Sequence, residues 1–495
     1  MAVILAIDAG TTGVRTMAVD ERGVPVGIAY REFRQYYPRP GWVEHDAREI
    51  WDAVVATLAD VTGSLRQPVA ALGITNQRET VVVWDRRSGQ PLHRAIVWQD
   101  RRTAARCDQL REEGHLGTVR SRTGLVLDPY FSGSKLEWLL GEGGVEAGPD
   151  LAFGTVDSWI LWQLTGGAVH ATDASNASRT MLYDIRTLAW SEDLTGLFGV
   201  PASCLPDVGP SSGRFGVTAA GAAPGVPAGI PISGVAGDQQ AALFGQTCFL
   251  PGTIKNTYGT GSFVLMNVGP TCPDPAEGLL TSVAWVIGQP AMTTYVLEGA
   301  IFVTGAAIQW LRDGIGVIRE AAETGPLAES IDDSEGVYLV PAFTGLGSPW
   351  WDPYARGTIV GLTRGSGRAH LARAVVEAMA YQTRDVVEAM TAASGHPVTE
   401  LRADGGASAM DLLLQLQADQ LQVPVARPVV RETTALGAAY LAGLAEGMWT
   451  SLDELRAQWA VDVERAPRRN GDAKYQAWRR AVQRAQGWEQ ASPAR

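Results

Sequence analysis

Two carboxylates in this sequence each stand just past an apolar run. Asp8 follows residues 3–7 and opens Asp8-Ala-Gly-Thr-Thr-Gly13; Asp238 follows residues 232–237 and opens Asp238-Gln-Gln240. In the first stretch glycine lets backbone N–H groups face outward in a tight turn, and the hydroxyls of Thr11 and Thr12 add donors beside them. Such a cup suits phosphate oxygens. The carboxylate of Asp8 at its lip repels phosphate unless a hard cation such as Mg²⁺ sits between them. A hairpin with a glycine-rich turn accounts for the same residues, and a short glycine motif alone does not separate the two readings. Two more small-residue turns follow: Gly259-Thr-Gly-Ser262 between apolar stretches, and Asp404-Gly-Gly-Ala-Ser408 ahead of a helix whose N-terminus suits an anion or a nucleoside. Phosphoryl transfer needs little beyond a cradle, Mg²⁺ and a carboxylate that takes the proton of the attacking hydroxyl. Asp238, at the junction of a strand and a helix, is the candidate base; an N-cap role fits the same position.

The elements that must hold these residues read as alternating strands and helices. A first hairpin spans residues 3–20, a third strand residues 24–33 and a helix residues 47–58. A strand over 69–75 delivers Asn76-Gln-Arg-Glu-Thr80, with Arg78 and Glu79 either in a cleft or in a surface ion pair. Residues 95–98 read as a strand ending in Trp98, whose ordinary place is the core. A loop over 125–132 carries Tyr130, and helices follow over 135–140 and 155–164. Residues 173–179 read as a polar loop and 201–231 as irregular chain rich in Pro and Gly, feeding a strand at Ile232 and a helix from Ala241.

Near residue 247 the pattern starts over, with strands over 253–258 and 263–268 around the second turn. Residues 293–297 read as strand, with Glu298-Gly299 leading into an apolar helix over 300–311 that holds Gly305 and Gln309. The clearest long helix spans 369–390, with Arg373/Glu377 and Arg384/Glu388 paired at i,i+4 on its outer face. Helices over 434–444 and 472–486 close the chain. The alternation predicts an α/β fold of two similar halves, residues 1–247 and 248–495, each opening on a phosphate-sized hairpin across one cleft.

At 495 residues the chain exceeds one hydrophobic core, and 46% hydrophobic with 19% charged residues is ordinary for a globular protein. A net charge of −12 repels nucleic acid and anionic membranes. Cys107, Cys204, Cys248 and Cys272 are scattered, which argues against structural zinc or a disulfide framework and fits a reducing cytoplasm. Neither a charged leader nor an apolar run of membrane-spanning length is present, so a cytoplasmic location is expected. The only lysines are Lys135, Lys255 and Lys474, a scarcity that reads as coding bias rather than chemistry. The P-loop and protein-kinase signatures are absent.

The runs Asp8-Ala-Gly-Thr-Thr-Gly-Val-Arg15, Gly73-Ile-Thr-Asn-Gln-Arg-Glu-Thr80 and Ala95-Ile-Val-Trp-Gln-Asp-Arg-Arg102 resemble the glycerol-kinase branch of the FGGY carbohydrate kinases. So do Gly237-Asp-Gln-Gln-Ala-Ala242, Asn256-Thr-Tyr-Gly-Thr-Gly-Ser-Phe263, Leu297-Glu-Gly-Ala300 and residues 357–377. The resemblance implies two duplicated actin-like (ribonuclease-H-like) domains closing on ATP and Mg²⁺. It also implies transfer of the γ-phosphate to glycerol, giving sn-glycerol 3-phosphate for glycerol catabolism. Arg78, Glu79, Tyr130, Asp238 and Gln239 resemble the polyol-binding set, and Trp98 and Phe263 the apolar wall against its carbons. Thr11, Thr12, Gly13, Arg15, Thr260, Gly305, Gln309, Gly406 and Met410 fall on the nucleotide contacts, and Asp8 and Asp238 on the metal site. Met410 stands where the family usually has Asn, Gly13 where it has Ser, and Gly141 where it has a polar residue. Neither a Gly-Gly-x-Arg run in 222–232 nor a histidine in 211–216 is present for the controls some relatives carry. The resemblance further implies a homodimer or homotetramer with no nucleic-acid partner and no membrane insertion. Two rival readings are a kinase of the same fold acting on a longer polyol or a sugar, and an actin-like ATP-binding protein that transfers nothing.

Overall fold

The computed structural model describes residues 2–288 and 290–489, so the outermost ends of the two halves lie outside it. Val3–Ala9 (β1), Gly13–Asp20 (β2) and Pro25–Glu32 (β3) form an antiparallel meander. Val69–Asn76 (β4) lies parallel to β1, Ser212–Val217 (β5) forms an edge, and Pro231–Gly237 (β6) joins β4 to that edge. The resulting order is β5-β6-β4-β1-β2-β3. The second sheet is built from Thr253–Tyr258 (β7), Ser262–Gly269 (β8), Leu280–Ile287 (β9) and Met292–Ile301 (β10). Glu400–Asp404 (β11), Val425–Pro428 (β12) and Val461–Arg465 (β13) complete it, in the order β9-β10-β8-β7-β11-β12-β13. With β7, β8, β10, β11 and β12 in the places of β1, β2, β3, β4 and β6, the architecture is a duplicated two-domain α/β fold.

β1 shows why the sheets sit where they do. Residues Val3 to Ile7 are all fully buried, because both faces of the strand are covered. Val3, Leu5 and Ile7 pack with Ile50, Val54 and Leu58 of the helix Ala47–Ser64, while Ile4 and Ala6 pack with Ala435, Ala438 and Ala442 of the helix Thr433–Ala445. That second helix comes from the far half of the chain, so the first sheet is completed by sequence more than 350 residues away. It also crosses the helix Asp238–Gly245 at closest backbone approach: a Cβ on Gly437 would collide with the Ala241 carbonyl, and one on Gly245 with the Thr433 carbonyl.

Several local readings give way to tertiary context. Residues 300–301 belong to β10, which runs through Glu298 and Gly299, and the helix begins only at Gly305, α-helical over Gly305–Gln309 and continuing as a π-helical turn over Trp310–Gly314. With strands on both edges and both faces covered, β10 loses the alternation that would mark it as a strand. Residues 173–179 contain a helical turn, Ala174–Ala177, because the Asp173 carboxylate accepts from the backbone N–H groups of Ser175 and Asn176. The Pro/Gly-rich stretch supplies β5, an edge position that tolerates such residues. The helix after β6 starts at Asp238 rather than Ala241, and residues 95–98 give only the two-residue strand Ala95–Ile96. Arg373 and Glu377 pair inside the protein, not on the outer face, since Arg373 also donates to the carbonyls of Ala328 and Ile331.

Filling the helix crossing should be costly where an open glycine is not. Gly437→Ala is expected to lower stability by at least about 1–3 kcal/mol. Gly117→Ala, at an exposed helical position with nothing within 4 Å of the new methyl, is expected to leave stability unchanged or raise it slightly. Denaturant titration of both variants checks the contrast.

Candidate active site

The parallel strands β1, β4 and β6 run out of the first sheet at one edge: Ala9 is level with Asn76, and Asn76 with Gly237. Asp8, the turn after β4 and Asp238 therefore leave the sheet together, at the strand ends where open α/β sheets form crevices. The turn after β4 is tight. Thr80 donates its backbone N–H to the Arg78 carbonyl at 2.7 Å, and Glu79 sits at φ 61°, a left-handed conformation that costs a residue with a side chain. Ser132 Oγ donates to the Glu79 carbonyl at 3.0 Å and helps hold it there.

Four charges then meet in the interior. Arg78 donates through both terminal nitrogens to the Glu298 carboxylate, at 2.6 and 3.0 Å. Arg179 donates from Nε to Glu79 at 2.6 Å, from Nη2 to Glu298 at 3.2 Å and from Nη1 to Ser282 Oγ at 2.9 Å. All four charged residues are buried. Burial opposes the charge on Glu298, yet Arg179 and Arg78 hold its carboxyl at about 2. Burial also raises Glu79, against the pull of the same two arginines. Arg78 and Glu79 lie in the first half of the chain, Glu298 and Ser282 in the second. Arg179, Glu298 and Ser282 were not singled out from the sequence as site residues. A lone carboxylate in an apolar strand was the available signal for Glu298; Arg179 had none beyond a polar run.

Above this cluster opens a small cleft of about 30 Å³. It is lined by every residue assigned to the polyol from the sequence, namely Arg78, Glu79, Trp98, Tyr130, Asp238, Gln239 and Phe263, and by Thr11. Trp98 and Tyr130 stand edge-on with ring centroids 5.6 Å apart. Trp98 Nε1 donates to Thr11 Oγ1 at 2.9 Å, tying the aromatic wall to the first hairpin turn. Gly237 takes the N-cap position, but the Asp238 carboxylate still accepts from the first-turn N–H of Gln239 at 2.7 Å; it also lies 3.3 Å from Arg78 Nε, with 28% of its side chain exposed. Burial raises its pKa, opposed by Arg78 and Lys255.

The residues assigned to the nucleotide lie on three turns or on the elements that adjoin them. Thr12 Oγ1 is 3.3 Å from the Tyr30 hydroxyl. Gly13 has a steric reason to lack a side chain, since a Cβ there would stand 2.5 Å from the Arg31 carbonyl and 2.7 Å from the Tyr30 ring. Arg15 lies 3.5 Å from Asp8 and 2.6 Å from Glu432. On the second turn, the Gly259 carbonyl accepts from Gly305 N–H at 3.0 Å and the Thr260 carbonyl from Thr304 N–H at 2.9 Å, seating the start of the helix that carries exposed Gln309. On the third, Gly406 is exposed, while Met410 packs against the apolar core that also takes Ala306.

Residues 3–245 match the N-terminal domain, and residues 254–446 the C-terminal domain, of the FGGY family of carbohydrate kinases. The chain is 55% identical to glycerol kinase of Trichlorobacter lovleyi over 502 residues, covering 99% of this chain and 100% of that one. It is 54% identical to glycerol kinase of Bordetella parapertussis over 497 residues, covering 98% and 97%. The crystal structure of Plasmodium falciparum glycerol kinase with ADP superposes with a TM-score of 0.92 at 33% identity, covering 98% of each chain.

Taking one charge out of the buried cluster should expose the cost of the others. Glu298→Gln keeps the shape but leaves Arg78 and Arg179 with too little negative charge, and a loss of about 3–5 kcal/mol is expected. Chemical unfolding of the variant against the wild type measures it.

Proposed function

Because the chain belongs to the FGGY family of carbohydrate kinases, we propose that it transfers the γ-phosphate of ATP to a terminal hydroxyl of glycerol, yielding sn-glycerol 3-phosphate. The observation that carries this reading is the single cleft that joins Arg78, Glu79, Asp238 and Gln239 to the ring systems of Trp98, Tyr130 and Phe263. A triol presents hydroxyls that both donate and accept, and an arginine beside a glutamate meets both needs. Aromatic surface covers the C–H side. A site built to bond hydroxyls rejects analogues that lack them, because its buried polar groups are then left unpaired.

Asp238 is the base in this reading. Its carboxylate reaches the cleft, and in the ionised form it accepts the proton of the attacking hydroxyl while Arg78 keeps it oriented. Thr11, Thr12 and the backbone of the first turn, with Thr260 and Gly305 on the second, are the groups that would hold the phosphates; Arg15, Gln309, Gly406 and Met410 would line the rest of the nucleotide. Asp8 and Asp238 fit a magnesium ion. Burial pushes the Asp8 carboxyl up to about 7, with Arg15 lowering it and the charges of Asp238 and Glu432 raising it further. Two carboxylates repelling each other across a phosphate site make a place where a cation is favoured. Among the described residues no cluster of three or more acidic, His or Cys ligands exists, which suits an ion that takes one or two carboxylates and otherwise waters and phosphate. When bound, such an ion offsets the negative charge of the phosphates.

The same reading makes the protein a cytoplasmic enzyme of glycerol catabolism that works as a homodimer or homotetramer, with the two domains meeting near residues 247 and 248. Among the described residues no helix is long and apolar enough to cross a membrane.

Assayed with ATP and Mg²⁺ across a panel of polyols and sugars, activity is expected to peak at glycerol. A strong preference for a pentitol or ketose would refute the substrate, and ATP turnover indifferent to every polyol would refute the transferase reading. Asp238→Asn is expected to bind ATP as the wild type does and to lose roughly 10²–10⁴-fold in kcat. Near-native turnover by that variant would show that the proton goes elsewhere.

A further inference from the structure

Only three of the 41 lysines and arginines in this chain are lysine. A coding bias toward arginine would account for the scarcity, but not for where the exceptions stand. Lys474 is 40% exposed, whereas Lys135 and Lys255 are both fully buried, and both lie behind the walls of the cleft. Burying an ammonium is expensive, and an arginine in the same place would need room for a larger, planar group with donors in a fixed fork.

Lys255 sits on β7 and reaches from the second half of the chain to the helix Asp238–Gly245. Its Nζ donates to Oε1 of Gln239 and to Oγ1 of Thr257, the latter at 2.9 Å. An ammonium carries donors only, so it dictates which end of the amide it meets. With Oε1 taken by Lys255, the Nε2 group of Gln239 is left to face the cleft that Gln239 lines. Lys135, on the helix Ser132–Leu140, donates to the carbonyls of Tyr130 at 2.6 Å and Phe131 at 2.9 Å. Two successive carbonyls drawn onto one cation fix the turn that carries Tyr130. That tyrosine in turn accepts from Arg78 Nη2 at 3.3 Å and stands against Trp98. The partners of both ammoniums are neutral oxygens: an amide, a hydroxyl and two carbonyls.

We propose that Lys255 and Lys135 are positioning residues of the polyol pocket, Lys255 orienting the Gln239 amide and Lys135 fixing the Tyr130 turn. The assignment rests on the glycerol reading of the cleft. Neither lysine hydrogen-bonds a residue assigned to the nucleotide, although the charge of Lys255 also bears on Asp238, so the loss of either is read on KM for glycerol against KM for ATP.

In the full-length protein, Lys255→Met and Lys135→Met are each expected to raise KM for glycerol about tenfold. KM for ATP is expected to stay within about twofold of wild type. Placed on Gln239→Leu, Lys255→Met is expected to add no further rise, because its partner is already gone. The proposal is overturned if both single variants keep the wild-type KM for glycerol. It is equally overturned if KM for ATP climbs in step, which is what a generally loosened fold gives. Should a methionine variant fail to fold, the leucine variant at the same position, which likewise lacks a donor, carries the same comparison with the same two outcomes. Wild-type transfer to glycerol is measured alongside. Its absence would defeat the functional reading, whereas unaltered variants of an active wild type would defeat only the role given to the lysines.

Discussion

Arg78 and Glu298 bind each other in the interior beneath the cleft, and much of the site follows from that bond. Each charge is unaffordable alone in the interior; together, with Arg179 and Glu79 closing the set, they satisfy one another. Because the two arginines and Glu79 come from the first half and Glu298 from the second, the pairing also fastens one half of the chain to the other at the floor of the cleft. Arg78 then has one nitrogen, Nε, turned to Asp238, so the group beside that carboxylate is itself held by a carboxylate from across the seam. The strained backbone at Glu79 belongs to the same arrangement. Its left-handed turn places two adjacent opposite charges where both face the cluster rather than solvent.

The second constraint is packing. Parallel strands β1, β4 and β6 end level with one another, so their successors gather at one edge without any one loop having to reach. Behind them, two helices cross with glycine against backbone at Gly245 and Gly437. A surface that close transmits position: the helix that begins at Asp238 is set by the helix Thr433–Ala445, which also lies on the sheet carrying Asp8. Asp238, the first hairpin and the far half of the chain are thus referred to the same pair of helices. Duplication supplies the rest, since the second sheet repeats the hairpin and puts its own small-residue turn at β7 and β8.

The cleft combines the two constraints. Its polar side is made by groups whose other bonds are already committed: Arg78 to Glu298, Glu79 to Arg179, Gln239 to Lys255, Tyr130 through its backbone to Lys135. Few of these side chains are free to turn, and preorganised donors and acceptors lose little on meeting a small, hydroxylated ligand.

The sequence by itself determined the pieces whose signal is local. A turn of glycines and threonines after an apolar strand announces its backbone whatever surrounds it, and the amphipathic helix Ala47–Ser64 and the strands on either side of Gly259 follow from period and composition alone. The residues that line the cleft were legible for a different reason: their runs resemble those of a family. Tertiary structure alone decided which faces are covered and who partners whom. Residues 300–301 are strand because a neighbouring strand bonds them, Arg373 and Glu377 are inside because residues near Ala328 cover them, and Lys135 and Lys255 are buried where backbone and side-chain oxygens meet their ammonium groups. In each case an apolar run or a charge carries the same letters exposed or buried. Only the chain that folds over it, often hundreds of residues away, supplies the partner that makes burial favourable.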